Sequence, residues 1–227
     1  MIDVSVVLPT FNEELAVKKV VSDIYSNTKS FTIEIIVVDS GTDNTASIAS
    51  ALGARVFYRP PTGHGDALRY GLLQAQGEII ISADCDDTYP MAAIAYLVAE
   101  MKNNNIDVIS ACRLTTEKKQ AMPLLNRLGN IFLALSVRVL FGIAVHDVTT
   151  GMFAIRKNSL VRLNLLENLA LPCEIILRTQ ACKLNYKEVF ISYAARLGVS
   201  KLQAIKSLVA YVAYILKTRS RYMSKIK

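Results

Sequence analysis

Near-continuous apolar runs at residues 4–8, 34–38, 55–58, 78–83 and 107–111 alternate with segments of helical periodicity. That alternation restricts the fold more than any other feature of the chain. Runs without polar gaps suit strands covered on both faces. Between them, helices are predicted over 13–26, 43–52, 66–76 and 91–102, with Gly53 and Gly77 placed as residues that end a helix. Strands and helices alternating in units this short build a parallel sheet with right-handed crossovers, so the class is α/β. Ligands of such sheets collect at the carboxyl ends of the strands. After Arg113 the pattern loosens into an amphipathic segment (122–143), a strand (152–155), a helix (171–184), a strand (189–192) and a basic C-terminal helix. Residues 1–200 read as one domain, and 201–227 as an amphipathic helix belonging to the same unit.

Composition narrows the partners. Hydrophobic residues make up 52% of the 227-residue chain, enough for a sizeable core with apolar surface left over. The net charge of +7 comes from 26 Lys and Arg against 19 Asp and Glu. It suits nucleic acid, an anionic bilayer or phosphorylated small molecules. Nucleic acid is the weakest of these, because the C-terminal positive charges interleave with an apolar face and not with stacking aromatics. The first strand starts at once, so no signal peptide is expected. None of Cys85, Cys112, Cys173 and Cys182 forms a C-x-x-C pair, and reduced, mostly buried thiols are expected. The apolar stretches 131–145 and 208–216 fall short of the ~20 residues of a spanning helix, so none is expected.

The stretch IISADCDDTYP ends an apolar run in carboxylates. In extended chain Asp84 and Asp86 share a side and Cys85 points into the protein. Two adjacent carboxylates repel unless a cation lies between them, and Mg²⁺ or Mn²⁺ takes such oxygens together with substrate phosphates. Asp87 lies where it would cap the next helix. Asp39 ends its strand where a carboxylate meets a base ring, or forms an Asx-turn with Thr42 as helix cap. Pro61-Thr62-Gly63-His64-Gly65-Asp66 is a glycine-flanked turn opening a helix, a phosphate cradle or simply a turn.

Taken in order, PTFNEE, VVDSGTDNT, GHGDALRYG, ADCDDTYP, HDVTTGMFAIRK and RLGVSKL resemble the signature of family 2 glycosyltransferases of the GT-A fold. The nearest subgroup is similar to dolichyl-phosphate mannose synthases and related polyprenyl-phosphate hexosyltransferases. The resemblance implies a Rossmann-like, mostly parallel sheet. It implies that Pro9, Phe11 and Glu13 line the base and ribose and that Val38 and Asp39 contact the base. Asp84, Cys85 and Asp86 match the family's D-A-D, with Mg²⁺ or Mn²⁺ on the two carboxylates. Arg113 and Arg127 match basic residues near the diphosphate and the acceptor phosphate, and Asp147 precedes T-T-G-M-F. Arg196 and Lys201 match a late R-x-x-G-x-S-K element close to lipid phosphate. There are departures. The D-S-G-T-D-N-T loop is one residue short, Thr88 replaces a Gln, and His64 replaces the Lys of G-K-G. The absence of Trp excludes the Q-x-x-R-W motif of processive synthases.

The implied reaction is metal-dependent, inverting transfer of one hexose from a nucleotide-diphosphate sugar to a polyprenyl or dolichyl phosphate, with GDP-mannose favoured. The catalytic set is Asp86, Arg113 and Asp147, with Asp147 as orienter, or as base if the acceptor is a hydroxyl. Alternatives are a UDP-sugar-dependent glucosyl or N-acetylhexosaminyl transferase and a non-catalytic nucleotide-sugar-binding subunit. A peripheral place on the cytoplasmic face of a membrane is expected, with or without a membrane-spanning partner. In the C-terminal helix, Leu202, Ile205, Leu208, Val209, Val212, Ile215 and Leu216 recur at helical spacing beside Lys206, Lys217 and Arg219, and Tyr211, Tyr214 and Tyr222 suit a headgroup layer. Residues 124–143 offer a second such surface, with Arg127 and Arg138.

Overall fold

The computed structural model describes residues 1–114, 122–197 and 204–224, with side chains of the last segment from 206 to 220. A seven-stranded sheet runs through it. Its strands are β1 (Val4–Thr10), β2 (Ile33–Asp39), β3 (Arg55–Tyr58), β4 (Ile79–Ser82), β5 (Val108–Cys112), β6 (Phe153–Arg156) and β7 (Tyr186–Phe190), in the order β3-β2-β1-β4-β6-β5-β7. All seven residues of β1 are buried, because helices cover both faces. Val6 and Leu8 pack on one side, with α1 (Val17–Asn27) and α4 (Ala93–Asn103); α2 (Thr45–Ala51) adds Ala49 there. Val7 packs on the other, with α3 (His64–Gln74), α5 (Leu124–Phe141), α6 (Lys157–Leu163), α7 (Leu171–Ala181) and, through Tyr211 and Ile215, α8 (Ala204–Ser224).

The predicted elements recur with shifted ends. Helix α1 starts at Val17, not at residue 13, because the amides of Glu13 and Glu14 donate to Thr45 Oγ1 (2.8 Å) and Asp43 Oδ2 (3.1 Å) across the cleft edge. Helix α6 was not foreseen. Strand β6 departs from parallel pairing: it lies antiparallel between β4 and β5, with Phe153 opposite both Ser82 and Ser110. Its N-terminal end therefore lies at the edge where β4 and β5 have their carboxyl ends. That single reversal delivers residues 147–152 to the cleft.

Helix α5 corrects the expectation about spanning length. It is 18 residues long and apolar enough to cross a membrane by length and composition, although Asn130, Leu133, Ala134 and Val137 pack inward. In α8, Tyr211 and Ile215 are core residues, 6% and 2% exposed, whereas Val209 and Leu216 face out. The predicted stripe is thus divided between core and surface, its members Leu202 and Ile205 lie outside the described side chains, and so does Tyr222.

Candidate active site

The cleft is built on three strand ends. At the first, the Thr10 hydroxyl donates to Asp39 Oδ1 (2.7 Å), tying β1 to β2 and leaving Oδ2 of a carboxylate only 2% exposed. The Thr42 amide donates to Asn12 Oδ1 (2.7 Å). A Cβ at Gly41 would stand 2.5 Å from that same oxygen, so the two loops meet only because residue 41 is glycine. The predicted Thr42 cap is corrected: α2 follows Asn44, and Asp43 holds the amide and hydroxyl of Thr45. Pro9 and Val38 are buried in their strands, and Phe11 is half exposed at the rim.

At the end of β4, Asp84 is partly open and Asp86 is 5% exposed. Cys85 is buried in the core, so it offers the cleft its backbone and not its thiol. Burial, with the surrounding carboxylates Glu13, Asp86 and Asp84, pushes that thiol well up, and it stays neutral. His64 Nε2 lies 2.8 Å from Asp84 Oδ1. Burial lowers the His64 imidazole, but Asp84 and Asp86 outweigh it, and the net direction is up. Burial and the charge of Asp84 raise the Asp86 carboxyl, against the Thr88 hydroxyl (2.6 Å from Oδ1) and Arg196. Asp84 goes the other way: burial is outweighed by His64, Arg113 and Arg196. Gly151, at the mouth of β6, closes the cradle, since a Cβ there would lie 2.7 Å from Asp84 Oδ1.

Asp87 corrects its prediction. It takes φ 63°, points away and pairs with Lys19 at 2.7 Å, while α4 begins only at Ala93. An exposed pair of this kind is worth about 0–1 kcal/mol. Asp87→Asn, which tolerates the left-handed backbone, is expected to leave transfer within about twofold of wild type in initial-rate assays.

At the end of β5, Arg113 is clasped by Asp147. Its Nε reaches Oδ2 at 2.8 Å, its Nη2 reaches Oδ1 at 3.0 Å, and its backbone amide adds a third bond at 3.1 Å. Asn130 Nδ2 also donates to Asp147 Oδ1 (2.7 Å), and the Thr149 amide does so at 3.1 Å. Asp147 is fully buried. Burial alone would raise its carboxyl, but Arg113 and these donors hold it below the usual range. A carboxylate so saturated has no free lone pair with which to take a proton. Sequence reasoning missed Asn130. Its signal is a polar residue in the buried stripe 130, 133, 134, 137 of α5. It also missed Glu188 of β7, which accepts from the amides of His146 (2.9 Å) and Asp147 (3.0 Å) and so fixes the loop.

Arg196 lies between carboxylates of the first two strand ends, 3.0 Å from Asp86 and 3.2 Å from Glu13. Arg127 stands in the first turn of α5, and no ion pair among the described residues holds it. Lys201 lies outside the described residues. Among those described, no group of three or more His, Cys, Asp or Glu side chains is placed to hold a metal alone. Two hard carboxylates whose repulsion needs a cation fit Mg²⁺ or Mn²⁺ completed by diphosphate oxygens.

The chain is similar to solved structures of matching architecture. Glucosyl-3-phosphoglycerate synthase from Mycobacterium tuberculosis, in complex with Mn²⁺, UDP-glucose and phosphoglyceric acid, superposes with a TM-score of 0.74 at 24% identity, covering 96% of this chain and 79% of that one. Mannosyl-3-phosphoglycerate synthase from Rubrobacter xylanophilus also reaches 0.74, at 18% identity over 99% and 75%. At such identities the likeness is one of fold, the GT-A fold. A dolichyl-phosphate hexose transferase of Haloferax volcanii is 38% identical over 200 residues, 88% of this chain and 86% of the relative. Residues 5–163, which carry both carboxylates and the Arg113–Asp147 clasp, match the family described as glycosyl transferase family 2. The chain is a member of glycosyl transferase family 2.

Proposed function

We propose that this protein transfers a hexose from a nucleotide-diphosphate sugar to a polyprenyl phosphate, with inversion. The observation that carries the reading is the saturation of Asp147. A hydroxyl acceptor needs a general base. A phosphate monoester, with a second pKa of about 6, is already largely deprotonated at neutral pH and needs positive charge to position it. Arg113, kept charged and aimed by Asp147, supplies that charge at the cleft, with Arg127 and Lys201 as further acceptor contacts. Pro9, Phe11, Glu13, Val38 and Asp39 hold the nucleoside. A divalent cation on Asp84 and Asp86 would neutralise charge building on the departing nucleoside diphosphate. The dolichyl-phosphate hexose transferase relative supports the acceptor class. For the donor we favour GDP-mannose; the Mn²⁺ and UDP-glucose bound by a neighbour of shared fold make UDP-glucose the second candidate.

Thermal shift with GDP, UDP and their hexose conjugates, with and without Mn²⁺, tests the donor. A ligand at 100 times its Kd adds about 2.7 kcal/mol to the native state. Metal-dependent stabilisation by one nucleotide is expected, followed by hexose transfer to short-chain polyprenyl phosphate. Stabilisation by none of them would remove the reading.

We also propose peripheral attachment to the cytoplasmic face of a membrane. Leu124, Leu125, Leu128, Phe132 and Val139 of α5 are each more than half exposed, on the surface opposite Asn130 and the core. Arg127 and Arg138 flank them, and Lys206, Lys217 and Arg219 lie on α8, which packs against α5. Apolar burial plus about 1 kcal/mol per basic residue near anionic lipid would hold such a face. Removing α8 would open the core at Tyr211 and Ile215, so the test uses Leu128→Asp with Phe132→Asp. In flotation with anionic vesicles at low salt, wild type is expected to float and the double variant to stay at the bottom. Equal behaviour of the two would remove this face as the surface that holds the protein on a membrane.

A further inference from the structure

Arg196 is not placed as a residue waiting for a distant lipid phosphate would be. Its Nη2 lies between Asp86 Oδ2 (3.0 Å) and Glu13 Oε1 (3.2 Å), two carboxylates whose side chains are only 7% and 11% exposed. The segment carrying it is sewn to the turn after β4 by backbone bonds, Ala194 N to Thr88 O (3.0 Å) and Leu197 N to Asp86 O (2.9 Å). Yet the contact to each carboxylate runs through the same Nη2, and the buried Nε has no hydrogen-bond partner among the described residues. A guanidinium normally meets an oxyanion through a two-pronged fork, and an unmade buried N–H bond is costly. The contact compensates charge while leaving the fork half unused.

We propose that Arg196 is the resident cation of Asp86: it occupies that carboxylate when no divalent ion is bound, and metal loading displaces it so that its fork turns to the phosphates of the bound substrate. This rests on the donor–metal reading above, and concerns how that site is set. One carboxylate cannot keep both a guanidinium and a divalent ion at full strength, so the arginine and the metal compete for Asp86. Arg196 therefore lowers the affinity for free metal and makes binding of metal and diphosphate cooperative, because the diphosphate offers the displaced guanidinium a better partner. No covalent step is involved.

The two roles open to Arg196 differ in the sign of one measurable quantity. If Arg196 serves only as a lipid-phosphate ligand, its removal leaves the affinity for metal alone unchanged. If it is the competitor, removal tightens metal binding. The experiment titrates Mn²⁺ alone, without nucleotide, onto the full chain in detergent, counting free Mn²⁺ by electron paramagnetic resonance. Arg196→Gln is expected to bind Mn²⁺ about tenfold more tightly than wild type, the order of magnitude of one charge-assisted bond removed from the competing state. Arg196→Met, which keeps the apolar stem, is expected to show the same shift should the Gln variant fail to accumulate. Adding UDP or GDP should tighten Mn²⁺ binding more in wild type than in either variant. If wild type binds Mn²⁺ and neither variant binds it more tightly, competition is overturned while the donor–metal reading stands. If no form binds Mn²⁺ with or without nucleotide, both fall together.

Discussion

Asp86→Asn is expected to lower hexose transfer by roughly a thousandfold while leaving the protein folded. The substitution removes the charge that a divalent cation needs on its second carboxylate and keeps the shape that accepts the Thr88 hydroxyl. Charge stabilisation of a departing diphosphate is worth several kcal/mol, and about 1.4 kcal/mol is a factor of ten in rate. Asp86 is already a carboxylate under stress, because burial and the neighbouring Asp84 both raise its proton affinity. Loss of its charge therefore relaxes the metal-free protein, and the melting temperature without ligand is expected to hold or rise. Initial rates with donor and polyprenyl phosphate, alongside Mn²⁺-dependent thermal shift by nucleotide, measure both halves. Transfer within tenfold of wild type in the presence of a chelator would refute the metal assignment.

Asp147→Ala is expected to be the most destabilising single change in the cleft. It strands Arg113, whose side chain is 9% exposed, without the carboxylate that now takes three of its N–H groups. Breaking a buried pair from one side costs roughly 3–5 kcal/mol. In a chain of this size that lowers the melting temperature by on the order of 10 °C. Arg113→Met combined with Asp147→Leu is expected to recover only part of that stability, since Asn130 and the Thr149 and Arg113 amides still lose their acceptor, and none of the activity, which separates the cost of the stranded guanidinium from the positioning of charge. The pH dependence has a defined sign. The folded Asp147 carboxyl lies below its unfolded value, so the unfolded chain binds more protons between the two and stability rises with pH there. The contribution is complete above the ordinary carboxylate range near ~4 and is lost as pH falls through the folded value. Wild type is therefore expected to lose stability more steeply than the double variant when unfolded by denaturant at successive pH values below about 4. Parallel curves would remove the clasp as a source of acid lability.

The strands and most helices were legible because their causes are local. Strands buried on both faces leave unbroken apolar runs, and helices leave a 3.6-residue period, so β1 to β5 and α1 to α5 can be read within a few residues. The paired carboxylates were singled out by the alternation of an extended chain, but β4 ends at Ser82 and residues 85–87 form a bend, so their partners, His64 on Asp84 and Arg196 on Asp86, come from the packed chain. The family signature carried Arg113, Asp147 and Arg196 as members of one site without saying which of them touch.

The tertiary structure alone decided the partners. The reversal of β6 depends on a pairing between residues about seventy positions apart, such as Ser82 with Phe153, which no local pattern encodes. That pairing brings Gly151 onto Asp84 and sets Asp147 against Arg113, turning a carboxylate that the sequence left open as a base into one with no free lone pair to spare. It likewise took the packed chain to show Arg196 on Asp86 and Glu13, and Tyr211 in the core and not in a headgroup layer. Secondary structure and the face a residue presents follow from neighbours in sequence. The charge state and the role of a buried group follow from neighbours in space, and in this protein those lie from 20 positions away, His64 on Asp84, to 183, Arg196 on Glu13.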